Sequence, residues 1–391
     1  KKEIMKKFLS SIILFSVALL CAACNFSNSS SSKSYESTTS QQDTTAQPTT
    51  ISEEEKAESR IETILSKMTV EEKVGQMFFA RYPDVDAAEQ ISEYNLGGFI
   101  LFGRDFDSKT REEIKENINA CQNIAKIPLL IGVDEEGGTV VRVSDNKNLR
   151  EIPFLSPRDT FVNGGWSAIE EDSIEKADLL LSLGINVNLA PVCDVTSDCN
   201  AFMYERSFSG DVGEVNRFVK KVVEISSEKN LGTVLKHFPG YGNNEDTHTG
   251  IAYDNRDFSE FLKTDFKPFE AGIESKADCV LVSHNIVSCM DSEYPASLSK
   301  EVHNILRNQL NFDGVIMTDD LSMGAITDYT GVENAAVIAI KSGNDLLCCS
   351  DVEEQYPAVL SSVKSDEISI VQIDDSVKRI LRWKQKLGLI K

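Results

Sequence analysis

Two of the chain's four histidines fall between Val234 and His248, where an apolar run gives way to Pro239, Gly240 and Gly242. Proline and glycine there break a strand into irregular backbone that can carry polar side chains toward a ligand. Lys236 and His237 stand at the end of the run, and Asp246 and His248 on the loop beyond it. On extended backbone the Asp-x-His spacing projects both side chains to one side, so the Asp246 carboxylate can reach a ring nitrogen of His248 and fix its tautomer. His248 is then a tuned proton carrier. The same residues admit two plainer readings: histidines satisfied in a structural role, or a zinc site formed by His237, Asp246 and His248.

The elements that must position these groups are eight short apolar runs alternating with charged helical patterns such as 53–68 and 112–124. The runs span 74–80, 98–102, 128–133, 185–190, 232–235, 278–282, 314–317 and 344–348. Each is rich in Val, Ile and Leu without polar alternation, as expected of parallel strands covered on both faces. Strand and helix in alternation, eight times over, predict an α/β fold: a (β/α)8 TIM-type barrel forming a single catalytic domain. An amphipathic stretch at 361–387, with Val371, Val377, Ile380, Leu381 and Leu387 turned inward, would close it.

In such a barrel the active site lies at the carboxyl ends of the strands. The residues there are Asp134 to Arg142 after the third run, Asp194 after the fourth, Lys236 and His237 after the fifth, Ser283 to Asn285 after the sixth and Thr318 to Asp320 after the seventh. A carboxylate at Asp319 and an imidazole oriented by Asp246 suit covalent substitution at an acetal carbon. In a retaining glycosidase one carboxylate attacks the anomeric centre while a proton donor assists the departing oxygen and later deprotonates water. A histidine can take the donor's place, because its pKa near neutrality suits a group that both gives and takes a proton. His284 and Asn285 are equally readable as site residues or as packing, and Trp166 and Trp383 read as packing. No G-x-S-x-G elbow, P-loop or H-E-x-x-H run appears, which removes the common rival hydrolase motifs.

The segments Met68 to Met77, Asp134-Glu-Glu-Gly-Gly138 through Arg142, Arg206-Ser-Phe208, Lys236-His-Phe-Pro-Gly240, Pro295-Ala-Ser-Leu-Ser299 and Thr318-Asp-Asp-Leu-Ser-Met323 resemble family 3 glycoside hydrolases. More narrowly they resemble the β-N-acetylglucosaminidase, or NagZ-type, branch, in order from about Met68 to Leu389. The resemblance implies that Asp319 is the catalytic nucleophile and Asp320 is not, and that Asp246 and His248 form the general acid/base dyad. It further implies that Asp134, Arg142, Arg206, Lys236 and His237 bind the sugar. The implied substrates are terminal N-acetylglucosaminides of peptidoglycan fragments, including muropeptides, or related amino-sugar oligosaccharides, and the implied chemistry draws on no metal or cofactor. Tyr241 stands where the family often has a second histidine, and Asn200 to Glu205 replaces the usual Asn-Pro run. Phosphorolysis, β-glucosidase activity, or a non-catalytic sugar-binding lipoprotein are the alternatives.

Composition narrows the partners. The net charge of −22 over 391 residues repels nucleic-acid backbones and anionic lipid, so a neutral oligosaccharide fits better. Lys1, Lys2, Lys6 and Lys7 precede an apolar run that ends in Leu20-Cys-Ala-Ala-Cys24, which reads as a signal segment over 1–23. The cysteine after two alanines resembles a bacterial lipoprotein signal, with Cys24 carrying lipid; simple secretion is the alternative. Residues 24–55 are largely Ser, Thr and Gln, a composition that cannot bury enough apolar surface to order itself, and read as a tether. The barrel is then 56–391, held outside the cytoplasm on the cell membrane by its lipid anchor alone.

Overall fold

The computed structural model describes residues 52–244, 250–330, 335–349 and 351–391. Asp246 and His248 lie outside the described residues, as do Cys24 and the leader around it. Ten strands are found among the described residues: β1 (Phe78–Arg81), β2 (Gly98–Leu101), β3 (Leu130–Val133), β4 (Val187–Asn188), β5 (Gly232–Phe238), β6 (Tyr253–Asp254), β7 (Cys279–Val282), β8 (Ile286–Val287), β9 (Val315–Thr318) and β10 (Leu347–Cys349). Eight of them form one parallel sheet in the order β10-β1-β2-β3-β4-β5-β7-β9. A parallel bridge from Met317 to Leu346 brings the two ends of that order together, so the sheet closes on itself. The remaining pair, β6 and β8, makes a small parallel ribbon beside it.

All eight predicted strands exist, and their limits differ for identifiable reasons. Val74 was expected to open the first strand but belongs to the helix Val70–Gln76. Thr69 and Glu72 cap that helix reciprocally, each side chain taking the other's backbone N–H, and this local bonding outweighs the apolar run. The same device starts the helices Glu53–Leu65 at Ser52 and Arg111–Ile124 at Thr110. The fifth strand continues to Phe238, so Lys236 and His237 lie inside it rather than after it. The stretch expected as one helix from Ser361 to Leu387 is two, Val352–Lys364 and Ile370–Lys386. Asp366 at φ 61° breaks the first and Ser369 caps the second. Val377, Ile380 and Leu381 of the second helix are buried as expected, whereas Val371 in its first turn is 63% exposed.

The barrel interior is packed, not hollow. Gly132 on β3 leaves room for the ring of Phe79 on β1, which an added Cβ would meet at 2.5 Å. Above that layer the side chains at the strand ends change from apolar to charged.

Candidate active site

At the carboxyl end of the strands lies a cavity of about 670 Å³. Asp134, Arg142, Arg206, Lys236, His237 and Asp319, six residues expected to act together from the sequence, all line it. With eight strands in the ring, β9 stands four places from β3 in either direction. Asp319, directly after β9, therefore faces Asp134, directly after β3, across the full width of the barrel.

On the β3–β5 side the charges are tightly coupled. Lys236 Nζ lies 2.6 Å from Asp134 Oδ1 and 2.6 Å from Glu136 Oε1. Arg206 grips Glu136 with two N–H groups, Nε at 2.9 Å and Nη2 at 2.8 Å, the bidentate geometry that suits a planar guanidinium. Burial opposes ionisation of Glu136, but the charges of Lys236 and Arg206 prevail and hold its carboxyl well below the usual range. The same balance raises Lys236: burial works against its charge, and Asp134 and Glu136 outweigh that effect. Both groups are thus charged at neutral pH, Lys236 as a donor and Glu136 as an acceptor, and their mutual attraction fixes their positions at the cavity wall.

His237 is steered by Asp194, a buried carboxylate whose Oδ2 sits 2.8 Å from the ring's Nδ1 and accepts the His237 backbone N–H at 3.1 Å. Its Oδ1 accepts the Tyr241 N–H at 2.7 Å. A carboxylate takes a proton from Nδ1, and the Arg206 Nη2 that lies 3.0 Å from Nε2 can only donate. The ring therefore carries its proton on Nδ1 and accepts at Nε2. Successive residues of a regular strand face opposite ways, yet Lys236 and His237 both line the cavity. The pairing register of β5 with β7 shifts between Leu235 and Phe238, an irregularity of the kind that re-aims side chains.

Asp319 accepts the Asp320 backbone N–H on Oδ1 at 2.9 Å, and its own N–H donates to the Val282 carbonyl at 3.1 Å. The turn is braced from below by His284. Its Nε2 lies 2.9 Å from the Asp320 carbonyl and its Nδ1 2.7 Å from Ser297 Oγ, with the whole side chain buried. His284 thus supports the turn after β9 rather than lining the cavity. Trp383 is buried in the core, and Trp166 packs against Phe161, Phe208 and Arg217, as the sequence reading had it.

Glu136 and Asp194 fell within the strand-end segments read from the sequence but were given no role in the site. The signal for Glu136 was present: on extended backbone it shares a side with Asp134 two positions earlier, and Glu135 points the other way. Glu135 is fully buried and accepts the backbone N–H groups of Arg142 at 2.9 Å and Val143 at 2.7 Å, so it shapes the loop that presents Arg142.

A closed (β/α)8 barrel with charged side chains from opposite strand ends around one cavity has the architecture of a barrel enzyme with its site at the carboxyl ends of the strands. The chain belongs to glycoside hydrolase family 3: the model of the glycosyl hydrolase family 3 N-terminal domain matches residues 69–383. It is similar to a beta-hexosaminidase of Haemophilus influenzae, 33% identical over 285 residues covering 72% of this chain and 80% of that one. A beta-hexosaminidase of Idiomarina loihiensis is 32% identical over 318 residues, covering 74% and 91%. Among solved structures, a family 3 beta-N-acetylglucosaminidase from Paenibacillus superposes with a TM-score of 0.77 at 30% identity. That match covers 82% of this chain and 63% of the other, so the chain spans under two thirds of that relative. A beta-N-acetylhexosaminidase from Beutenbergia cavernae gives 0.72 at 26% identity, covering 81% and 98%. The protein is a glycoside hydrolase.

Proposed function

We propose that the protein is a retaining exo-β-N-acetylglucosaminidase in which Asp319 attacks the anomeric carbon of a terminal N-acetylglucosamine. The Asp246–His248 pair, outside the described residues, donates a proton to the departing oxygen and then takes one from water. The observation that carries this reading is the place of Asp319, across the cavity from Asp134 and the Lys236–Glu136–Arg206 network. A neutral sugar held by that network needs a carboxylate on its far side, both to form the glycosyl bond and to offset positive charge developing at the ring. The relatives printed as beta-hexosaminidases support the choice of amino sugar. The substrates in this reading are peptidoglycan fragments or related amino-sugar oligosaccharides.

Trapping with a 5-fluoro N-acetylglucosaminyl fluoride, followed by mass spectrometry of peptides, tests the assignment. The adduct should fall on the peptide holding Asp319, and Asp319→Ala should lose turnover and adduct together. An adduct elsewhere, or full turnover by the variant, overturns it. The same reading puts the enzyme on the outer face of a bacterial cell membrane, anchored through lipid on Cys24, with residues 24–55 as tether and 56–391 as the catalytic domain. Cys24→Ala should then move the protein from the membrane fraction to the soluble one; an unchanged distribution would refute the anchor.

A further inference from the structure

The cavity's cations divide into two kinds. Lys236 and Arg206 are held by carboxylates at 2.6 to 2.9 Å. Arg81, at the end of β1, also lines the cavity, and among the described residues it makes no ion pair within 4.0 Å. Its guanidinium carbon lies 4.6 Å from the ring of Phe102, its charge favours the ionised form of the Asp105 carboxyl, and its Nε is sealed from solvent without a hydrogen-bond partner. A guanidinium carries five donors, and leaving one buried and unsatisfied is costly unless something arrives to accept from it. The chain as a whole carries a net charge of −22, so a carboxylate for Arg81 would have been easy to supply.

Position adds to this. In the ring β1 stands opposite β5, so Arg81 faces the strand that presents Lys236 and His237. Phe102 holds the Arg81 guanidinium on one side, and the neighbouring Gly103 packs near Arg142 Cδ, 4.0 Å from where a Cβ would stand. Arg142 has no ion pair among the described residues either, and its Nε is likewise buried and unpartnered. The end of β2 is therefore flanked by two arginines that no carboxylate grips directly among the described residues, in contrast to Lys236 and Arg206. Arg142 already has a place in the sugar-binding reading; Arg81 does not.

We propose that Arg81 is a specificity residue that reads a carboxylate carried by the glycoside beside its scissile bond. A planar guanidinium held against an aromatic ring at the wall of a cavity is pre-organised for charge-assisted bonds to a carboxylate through its terminal nitrogens. Neutral glycosides would leave those donors unsatisfied. The inference rests on the glycosidase reading above and adds the charge of the preferred substrate.

The test compares two disaccharides that share N-acetylglucosamine linked to muramic acid, one with the lactyl carboxylate free and one with it converted to the amide. The ratio of kcat/KM for acid over amide is measured for wild type, Arg81→Gln and Arg81→Lys. Wild type should favour the acid. Arg81→Gln should cut the ratio by about tenfold to a hundredfold, the range expected for losing charge-assisted hydrogen bonds, and Arg81→Lys should keep part of it. The wild-type preference should also shrink as salt is raised. A ratio that is the same in wild type and both variants overturns the inference while leaving the glycosidase reading intact. Failure of wild type to cleave any N-acetylglucosaminide, chromogenic ones included, overturns that reading instead. A misfolded Arg81→Gln is recognised by loss on both substrates, and the Arg81→Lys ratio then decides.

Discussion

Glu136→Gln keeps the shape of a side chain while removing the charge that joins Lys236 to Arg206. In the wild type Glu136 accepts from Arg206 at 2.9 and 2.8 Å and from Lys236 at 2.6 Å. A glutamine offers one oxygen and turns an NH2 group toward the remaining donors, so at least one charged bond is lost. Lys236 retains Asp134, whereas Glu136 is the one carboxylate ion-paired with Arg206 among the described residues. Removing one partner of a buried pair costs about 3–5 kcal/mol, because the other charge stays buried. Spread over the unfolding entropy of a domain this size, that is a fall in Tm of about 5 °C. The loss should depend on pH. The Glu136 carboxyl is held below its usual 4.5, so its contribution is complete above that value and fades as pH falls from there toward the folded-state value. The gap between wild type and variant should therefore be widest near neutrality and narrow in acid. Thermal unfolding across this pH range, with turnover of a chromogenic N-acetylglucosaminide at neutral pH, measures both consequences; kcat/KM should fall because the sugar's donors are no longer held. A variant with wild-type Tm and wild-type kcat/KM would refute the claim that this carboxylate organises the site.

His248→Ala should lower the rate by about 10² to 10⁴, the range for a lost general acid/base. Aryl glycosides with good leaving groups should suffer less than disaccharides; equal losses would show that His248 does not protonate the leaving oxygen. Lys384 is wholly buried with Gln76 Oε1 at 2.6 Å, and burial pushes it down to about 7. Between that value and its ordinary 10.5 the unfolded chain binds more protons than the folded one, so stability should climb with pH through this window. Lys384→Met should accordingly stabilise the fold by about 2 kcal/mol at about pH 6, after discounting the stranded Gln76 acceptor, and by less at about pH 10. Chemical denaturation at the two pH values checks this, and a variant equally destabilised at both would contradict it.

The order of elements was readable along the chain because the information is local. Runs such as Gly98–Leu101 and Val315–Thr318 are apolar throughout, and parallel strands buried on both faces need nothing else. Polar residues directly after those runs marked the site, and Asp134, Asp319 and Lys236 were found that way. Even the misplaced first strand had its correction written locally, in the Thr69–Glu72 cap. Periodicity states which side of its own element a residue occupies, and no more. That Lys236 and His237 share a cavity depends on a register shift against β7, a strand more than forty residues further on. That Glu136 joins Lys236 to Arg206, or that Arg81 faces β5 without an ion pair among the described residues, depends on where the ring closes through Met317 and Leu346. Closure brings distant strand ends to one mouth, and the energies that decide its geometry are sums over contacts between residues far apart in sequence, which no window of neighbouring residues contains.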